Sequence, residues 1–506
     1  MLGLADIATW AFSSSWSGPL FVGLVTLLIT WYFLSNRSLP PGPIRFPLIG
    51  SVWWFALLSF RKSRLPVALF NEWKRYGDVV HMSVGNINMV FLNGHDAIHE
   101  AFVTRADDFS DRPEWVFKVP YKGLIFESGA AWKNMRKFTF QALRDFGVGK
   151  ASLEEIILKE VDSATDYLSS TIGEPTSLRD MTSMMVTNVI YHIIFGKRLE
   201  FHSQEMLDVL DNMGRVLLEG APIDVVRLVP KSVLKLVGNK QRKPDGYFDK
   251  SATWIFSHIN GHIEEHRKTY DGNHIRDFID LYLKKEMEDS NTDSSGNEAI
   301  QLSTLLSTIL DLFIAGSDTT SNSLNWCILY LQEYPEVQRK SREEIHEKFG
   351  DRAITWSDRG TLPYTEATLL EIQRLGNIAE MSIPHVAKQE VTFRGYRLPA
   401  NTIVQANLLS SHLDPRYWEN PTAFCPERHI ENGELKKNPA FTPFSLGPRM
   451  CLGETLARME LFLSFTNLLQ RFSFRREADH VTHAFDCKDG FLIRAPTPYK
   501  TRAIRD

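Results

Sequence analysis

One cysteine, Cys451, stands in a stretch suited to ligand chemistry: Phe444-Ser445-Leu446-Gly447-Pro448-Arg449-Met450-Cys451-Leu452-Gly453. The residues after it, with Leu456, Met459, Leu461, Phe462 and Leu463, predict a helix. A thiolate at a helix N-terminus meets backbone N–H groups and the positive end of the helix dipole. Those donors moderate the charge on sulfur and so tune a metal bound to it. Arg449, two residues before the sulfur, is placed to meet an anion, and Gly447 and Gly453 let the chain approach a flat ligand. A buried structural cysteine is the competing reading of this loop.

Three further groupings could do chemistry. Ala315-Gly316-Ser317-Asp318-Thr319-Thr320 sets an acid beside hydroxyls inside an apolar run. Such a pair is costly to bury unless it serves something. On residues alone, a Thr bonding back to the i−4 carbonyl beside a solvated Asp accounts for it. Glu371-Ile372-Gln373-Arg374 is an i, i+3 ion pair, which reads as structural. Trp132 and Arg136, at i and i+4, share one helix face.

These groups need elements to hold them. Leu302, Leu305, Leu306, Ile309, Leu312 and Phe313 fall at helical spacing, and no proline follows until Pro335. A long core-crossing helix over Leu302 to Gln332 is expected, with a local opening of its ladder near Gly316, Thr319 and Thr320. Val79–Val84 and Met89–Leu92 read as short strands, and much of the remainder as helix. The polar stretch Glu288–Glu298 reads as an exposed loop.

The chain has 506 residues, a net charge of -4 and four cysteines, Cys327, Cys425, Cys451 and Cys487. The balance of charge gives no footprint for nucleic acid. The cysteine spacings match neither a zinc pattern nor a disulfide framework. Every position from Ile7 to Asn36 is uncharged, and basic residues follow from Arg37 onward. That predicts a membrane anchor over 1–37 with the body on the cytosolic side, a cleaved signal peptide being the alternative. Leu39-Pro40-Pro41-Gly42-Pro43 predicts a stiff non-helical hinge over 38–48, leaving 49–506 as one catalytic domain. No flavin or nicotinamide fingerprint is present, so electrons for any redox chemistry come from outside.

The cysteine loop resembles the haem-ligand loop of the cytochromes P450, Phe-x-x-Gly-x-Arg-x-Cys-x-Gly, at all five fixed positions. The order along the chain is similar too: anchor, Pro-rich hinge, Trp-x-x-x-Arg, the Asp318-Thr319 helix, Glu-x-x-Arg, Pro-Glu-Arg, then the cysteine. The anchor, the hinge, Ser110-Asp111-Arg112-Pro113 and the cysteine loop look most like the animal microsomal clan, which oxidises steroids, fatty acids and xenobiotics. The resemblance implies a mainly α fold with a minor β region behind an N-terminal transmembrane helix. It implies haem b with Cys451 as axial thiolate, and Trp132, Arg136, Arg449, Arg112 and His385 as contacts to the haem propionates. Thr319 would hydrogen-bond dioxygen over the haem and Asp318 would relay protons. Glu371, Arg374 and Arg428 would form a structural triad behind the cysteine loop. His429 is a departure, where many relatives place Phe, and no chemical role is expected of it.

The implied activity is insertion of one oxygen atom into a lipophilic small molecule by hydroxylation or epoxidation. Its electrons would come from NADPH through the NADPH-cytochrome P450 reductase, with cytochrome b5 as a possible second donor. Phe126, Phe313, Ile314, Ala315, Met381, Ile383 and Phe491 are candidate pocket lining, with core packing the alternative for each. Lys118, Lys122 or Arg494 could anchor a substrate carboxylate. Val225–Val237, punctuated by Arg227, Lys231 and Lys235, suits a membrane lipid surface. Lys133, Lys137 and Arg144 could belong to a docking face for the electron donor. The implied location is the endoplasmic reticulum membrane. Two rivals remain: a haem-thiolate isomerase or dehydratase that rearranges peroxides, and a non-enzymatic haem-binding membrane protein.

Overall fold

The computed structural model describes residues 37–47, 49–61, 64–115, 122–219, 247–291, 302–477, 485, 487–489 and 493–505, with six positions between 22 and 30. The expected anchor therefore lies almost wholly outside the described residues, as do Lys118, Phe491 and the Val225–Val237 segment. Among the described residues no helix is long and apolar enough to cross a membrane. The described part of the hinge is not helical. Its Pro41 carbonyl accepts a bond from His81 N–H at 2.8 Å, which lays the hinge against a strand.

Twelve helices longer than five residues carry the fold, among the described residues: α1 Val52–Phe60, α2 Leu65–Tyr76, α3 Gly129–Asp145, α4 Ala151–Ser170, α5 Arg179–Phe195, α6 Gln204–Glu219, α7 Tyr247–Thr269, α8 Phe278–Asn291, α9 Leu302–Glu333, α10 Pro335–Phe349, α11 Pro363–Gly376 and α12 Glu454–Arg471. The main strands are β1 Val79–Val84, β2 Ile87–Asn93, β3 Pro175–Thr176, β4 His385–Ala387, β5 Thr402–Asn407, β6 Ser473–Arg476 and β7 Thr501–Ile504. One sheet runs β1-β2-β5-β4 and a smaller one β6-β7-β3. β1 and β2 form a hairpin in which Val84 faces Ile87. Gly85 takes φ 58 at the first position of its two-residue turn, a conformation that favours glycine. β2 then pairs in parallel with β5, Met89 opposite Ile403, and β5 pairs antiparallel with β4, His385 opposite Val404. The mainly helical class with a minor sheet is thus as expected.

α5 is buried nearly all round, from Met181 to Phe195, as befits a helix inside a helical core. It lies against α9, which spans 32 residues, about 48 Å at 1.5 Å per residue. The two helices approach closely at Gly316, where a Cβ would sit 3.1 Å from the Ile190 side chain. The Asn325 amide donates to Thr182 Oγ1 across the same interface at 2.9 Å.

Two expectations about helices need correction. α9 stays helical through Gly316, Thr319 and Thr320 rather than opening: Gly316 is packed against Ile190 of α5, and the Thr319 hydroxyl takes up the Ala315 carbonyl at 2.6 Å without breaking the helix. α8 continues to Asn291, into the stretch expected as loop, because Glu286, Met287 and Glu288 are good helix formers.

Candidate functional site

The cysteine loop is held by its own backbone. Cys451 N–H donates to Phe444 O at 2.9 Å and Met450 N–H to Gly447 O at 3.0 Å. Gly447 has φ +77, and a Cβ there would lie 1.8 Å from the Phe102 carbonyl oxygen, so only glycine fits. α12 starts at Glu454 with Gly453 as its N-cap, as the sequence predicts. The Arg136 guanidinium donates to Met450 O at 2.7 Å and ties α3 to the residue before the cysteine.

Cys451 is surrounded by protein yet keeps an exposed face. Burial pushes its thiol pKa up, opposed by a bond from Gly453 N–H and by the Arg136 charge. Burial thus favours the thiol, and a bound cation would favour the thiolate.

A group of cations with few acids stands beside this loop. Arg112 is buried and its guanidinium donates to carbonyls: Ile125 O at 3.0 Å, and Ile383 O and Pro384 O at 2.9 Å each. Burial, then the charges of Arg449 and Arg136, lower its pKa. The Arg449 guanidinium lies 3.6 Å from the centre of the Trp132 ring and donates to Ser110 O at 2.7 Å and Glu127 O at 2.6 Å. Burial lowers its pKa to about 9, with Asp111 nearby acting in opposition. Two donors here are buried with no hydrogen-bond partner, Arg449 Nη1 and Trp132 Nε1. Buried donors of this kind cost roughly 1–3 kcal/mol each when unmet.

The cluster therefore has the donor chemistry for a ligand with two carboxylates, and the accessible sulfur has the chemistry for a metal. A haem fits both requirements: Trp132, Arg449 and Arg136, with Arg112 behind them, would hold the propionates, and Cys451 the iron. His385 is less suited as an ordinary donor. Its Nδ1 faces the Phe109 carbonyl at 2.6 Å, which assigns the proton to Nδ1 and leaves Nε2 as an acceptor in the neutral ring. Burial and the charges of Arg112 and Arg449 keep that ring neutral.

Beside the loop, a cleft runs between α9, α11, α12 and the loop's own Phe444. Thr319, Thr320, Ile372, Phe444 and Ala457 line it, so the expected oxygen-handling face meets residues on either side of Cys451 in the chain. Asp318 is largely buried. Burial raises its pKa, while Arg179 and the Asn322 side chain restrain the rise.

Glu371, Arg374 and Arg428 come together in one network. Arg374 donates through Nε and Nη2 to the two Glu371 oxygens at 2.8 Å each, and Arg428 Nε adds a third bond at 3.0 Å. His429 belongs to the network as well, its Nε2 lying 2.9 Å from Glu371 Oε2. Burial would raise the Glu371 pKa, but the bonds from Arg374 and His429 pull it down to about 2. The departure from Phe at 429 thus supplies an extra donor to a buried carboxylate.

Among the candidate lining residues, Phe126 and Met381 belong to one apolar cluster with Trp54 and Phe91. Ala315 is exposed, and Ile314 and Ile383 are partly so. Phe313 is corrected to core: it is fully buried, with its ring 5.9 Å from that of Tyr191 and 6.0 Å from that of Phe195. Two positions separate it from Ala315 along α9, which turns it to the other side. Arg494 is also corrected, because its guanidinium donates to Leu375 O at 2.7 Å and lies over Trp326. Lys122 is paired with Glu114 at 2.7 Å. Lys133, Lys137 and Arg144 are all exposed on α3.

One residue near the site was not foreseen. Asp311, two turns before Thr319 on α9, is raised by burial to about 7, and accepts a bond from Ile125 N–H at 2.8 Å. Its only sequence signal was an acid within the apolar face of the helix.

Residues 40–502 match the model of the family described as Cytochrome P450. Cytochrome P450 2J2 of Homo sapiens is 38% identical over 469 residues, covering 90% of each chain. Cytochrome P450 2J1 of Oryctolagus cuniculus is 35% identical over 474 residues, 91% of each. Cytochrome P450 2U1 of Bos taurus is 34% identical over 489 residues, 90% of this chain and 88% of the relative.

Proposed function

This chain belongs to the cytochrome P450 family of monooxygenases, and from that premise we propose that it inserts one oxygen atom of dioxygen into a lipophilic small molecule. The observation that carries the reading is the pairing of an accessible Cys451 with the buried Trp132 and Arg449 donors that lack partners. When bound, haem supplies the oxidising chemistry, and thiolate ligation biases it toward O–O cleavage, as is general for this family.

The protein's part is binding, orientation and control of protons. Cys451 gives up its proton and presents sulfur from the start of α12. Arg449 Nη1 and Trp132 Nε1 donate to carboxylates, and Arg136 adds charge while fixing the Met450 carbonyl. Thr319 holds its hydroxyl proton on the Ala315 carbonyl and can swing it into the cleft. Asp318, next to Thr319 in the chain and raised in pKa by burial against the restraint of Arg179 and Asn322, is the carboxyl assigned to proton relay. Phe126, Met381, Ala315, Ile314 and Ile383 make the approach apolar, which excludes water and selects a fatty acid, steroid or xenobiotic.

Electrons reach the site from NADPH through the membrane flavoprotein reductase, with cytochrome b5 as a second donor, docking near exposed Lys133, Lys137 and Arg144. A membrane anchor at 1–37 places residues 49–506 on the cytosolic face of the endoplasmic reticulum. The test is turnover of the reconstituted protein with reductase, NADPH and isotopically labelled dioxygen on pooled fatty acids, steroids and small aromatics. One labelled oxygen atom in a product is the expected result. Rearranged peroxide formed without NADPH would overturn the reading in favour of an isomerase.

A further inference from the structure

A second cluster of ligating side chains lies away from the cleft, where α5, α6 and α7 meet. His258 and His262, at i and i+4, share one face of α7. Glu205 comes from the first turn of α6, and Tyr191 from α5. Both imidazole Nε2 atoms converge on the Tyr191 oxygen, that of His258 at 3.1 Å and that of His262 at 2.9 Å. Glu205 Oε1 lies 3.5 Å from the same oxygen. One ligand atom from each of Glu205, His258 and His262 lies within 4.8 Å of the others.

We propose that Glu205, His258 and His262, with the Tyr191 oxygen as a fourth donor, form a binding site for a divalent transition-metal ion, and that zinc is the ion they suit.

The contacts at the Tyr191 oxygen are near the spacing the ion needs, and the other three ligand atoms close to it from within 4.8 Å of one another. Ligands about 2.0–2.1 Å from a tetrahedral zinc stand about 3.3 Å apart. The three contacts made by the Tyr191 oxygen scatter around that value. Two histidines and a glutamate are a donor set that zinc takes, leaving one position for a further oxygen. Glu205 is exposed and free to swing inward, whereas Tyr191 is wholly buried and the two rings are partly so.

The rings are also held in place. His258 stacks on Trp254 with 4.9 Å between centroids and 10° between planes, and His262 leans on Phe195 at 4.6 Å. An independent observation comes from the far side of His262. Its Nδ1 is buried with no hydrogen-bond partner, and Glu265 Oε2, itself held by Lys197 Nζ at 2.8 Å, lies 3.9 Å away. A carboxylate there favours the proton on Nδ1, which turns the Nε2 lone pair into the cluster. A carboxylate behind the imidazole is the usual outer partner of a metal-bound histidine.

Tyr191 and Phe195 also pack on Phe313 of α9, so an ion here clamps α5, α6 and α7 behind the helix that carries Thr319.

The experiment is equilibrium dialysis of tag-free, haem-loaded protein against zinc, with metal counted by mass spectrometry and haem content checked by absorption. One zinc per chain is expected. A His258→Ala, His262→Ala double variant should bind it more than about 100-fold more weakly, beyond the loss that outer-shell changes alone produce. Glu265→Gln should weaken it about 10-fold. Zinc X-ray absorption of the wild type, which needs no variant to fold, should show nitrogen and oxygen neighbours alone. A sulfur neighbour would place the ion on a cysteine and overturn the proposal. So would undiminished zinc in a haem-loaded double variant, or in Glu205→Gln, or no uptake by the wild type short of millimolar zinc.

Discussion

Replacing Glu371 with glutamine should show how much of the protein's stability rests on one charge. The carboxylate is fully buried and accepts from Arg374 twice, from Arg428, from His429 and from the Cys425 N–H at 3.0 Å. Its pKa is lowered from 4.5 to about 2. Against an unfolded value near 4.3, that depression corresponds to about 3 kcal/mol. Removing one partner of a buried pair costs roughly 3–5 kcal/mol, because the other charge stays buried without it. The two routes agree, although Arg374 retains bonds to the His412, Pro421 and Ala423 carbonyls that soften the loss. Glu371→Gln should therefore destabilise the protein by about 3 kcal/mol at pH 7. The sign with pH follows from linkage. A depressed carboxylate pKa contributes its stability fully above the unfolded value near 4.3, and that contribution is lost as pH falls toward 2. The gap between wild type and variant should narrow across that window. The assay is denaturant unfolding of haem-loaded protein at several pH values, followed by tryptophan fluorescence. A gap under about 0.5 kcal/mol at pH 7, the size of an ordinary surface change, would refute the reasoning. So would a gap that stays constant down to pH 2.5.

Cys451→Ala should abolish the thiolate-type haem absorption spectrum, and a variant that keeps that spectrum would remove Cys451 as the ligand. Thr319→Ala should retain haem and substrate binding but divert reducing equivalents to peroxide; fully coupled turnover would refute the role given to its hydroxyl. Asp311→Asn keeps an acceptor for Ile125 N–H but cannot ionise. The raised pKa of Asp311, about 7, means that wild type should lose stability relative to this variant as pH rises from about 4 to 7, by at most a few kcal/mol. Equal pH profiles for the two proteins, read by thermal unfolding, would show that Asp311 is not perturbed.

What was legible in the sequence was local. The cysteine loop, the helix behind it, the two strands β1 and β2 and the ends of α9 to within a residue depend on glycine placement and apolar period, which short stretches of chain display. Contacts across elements were harder to read. Phe313 and Ala315 sit two residues apart with the same apolar character, and only the position of α5 decides that the first faces Tyr191 while the second is exposed. Arg494 looked like a free cation because nothing near it in the chain announces the Leu375 and Gly376 carbonyls that it caps.

His429 shows why a departure from a family pattern deserves a geometric test before it is dismissed. A phenylalanine there could fill the space between Trp418 and Phe441, whose rings lie 5.5 and 5.7 Å away. It could not donate to Glu371 Oε2, which would keep its other bond, from Arg374 Nε. The imidazole therefore serves packing and charge together. One neutral hydrogen bond is worth about 1 kcal/mol and one to a charged acceptor about twice that. The network in this chain is accordingly built to hold its carboxylate ionised further into acid than a Glu-Arg-Arg triad would alone, and the same bonds fix His429 at the end of the Pro-Glu-Arg turn. The rigidity of the Glu371 network thus depends on a residue that pattern matching alone leaves out.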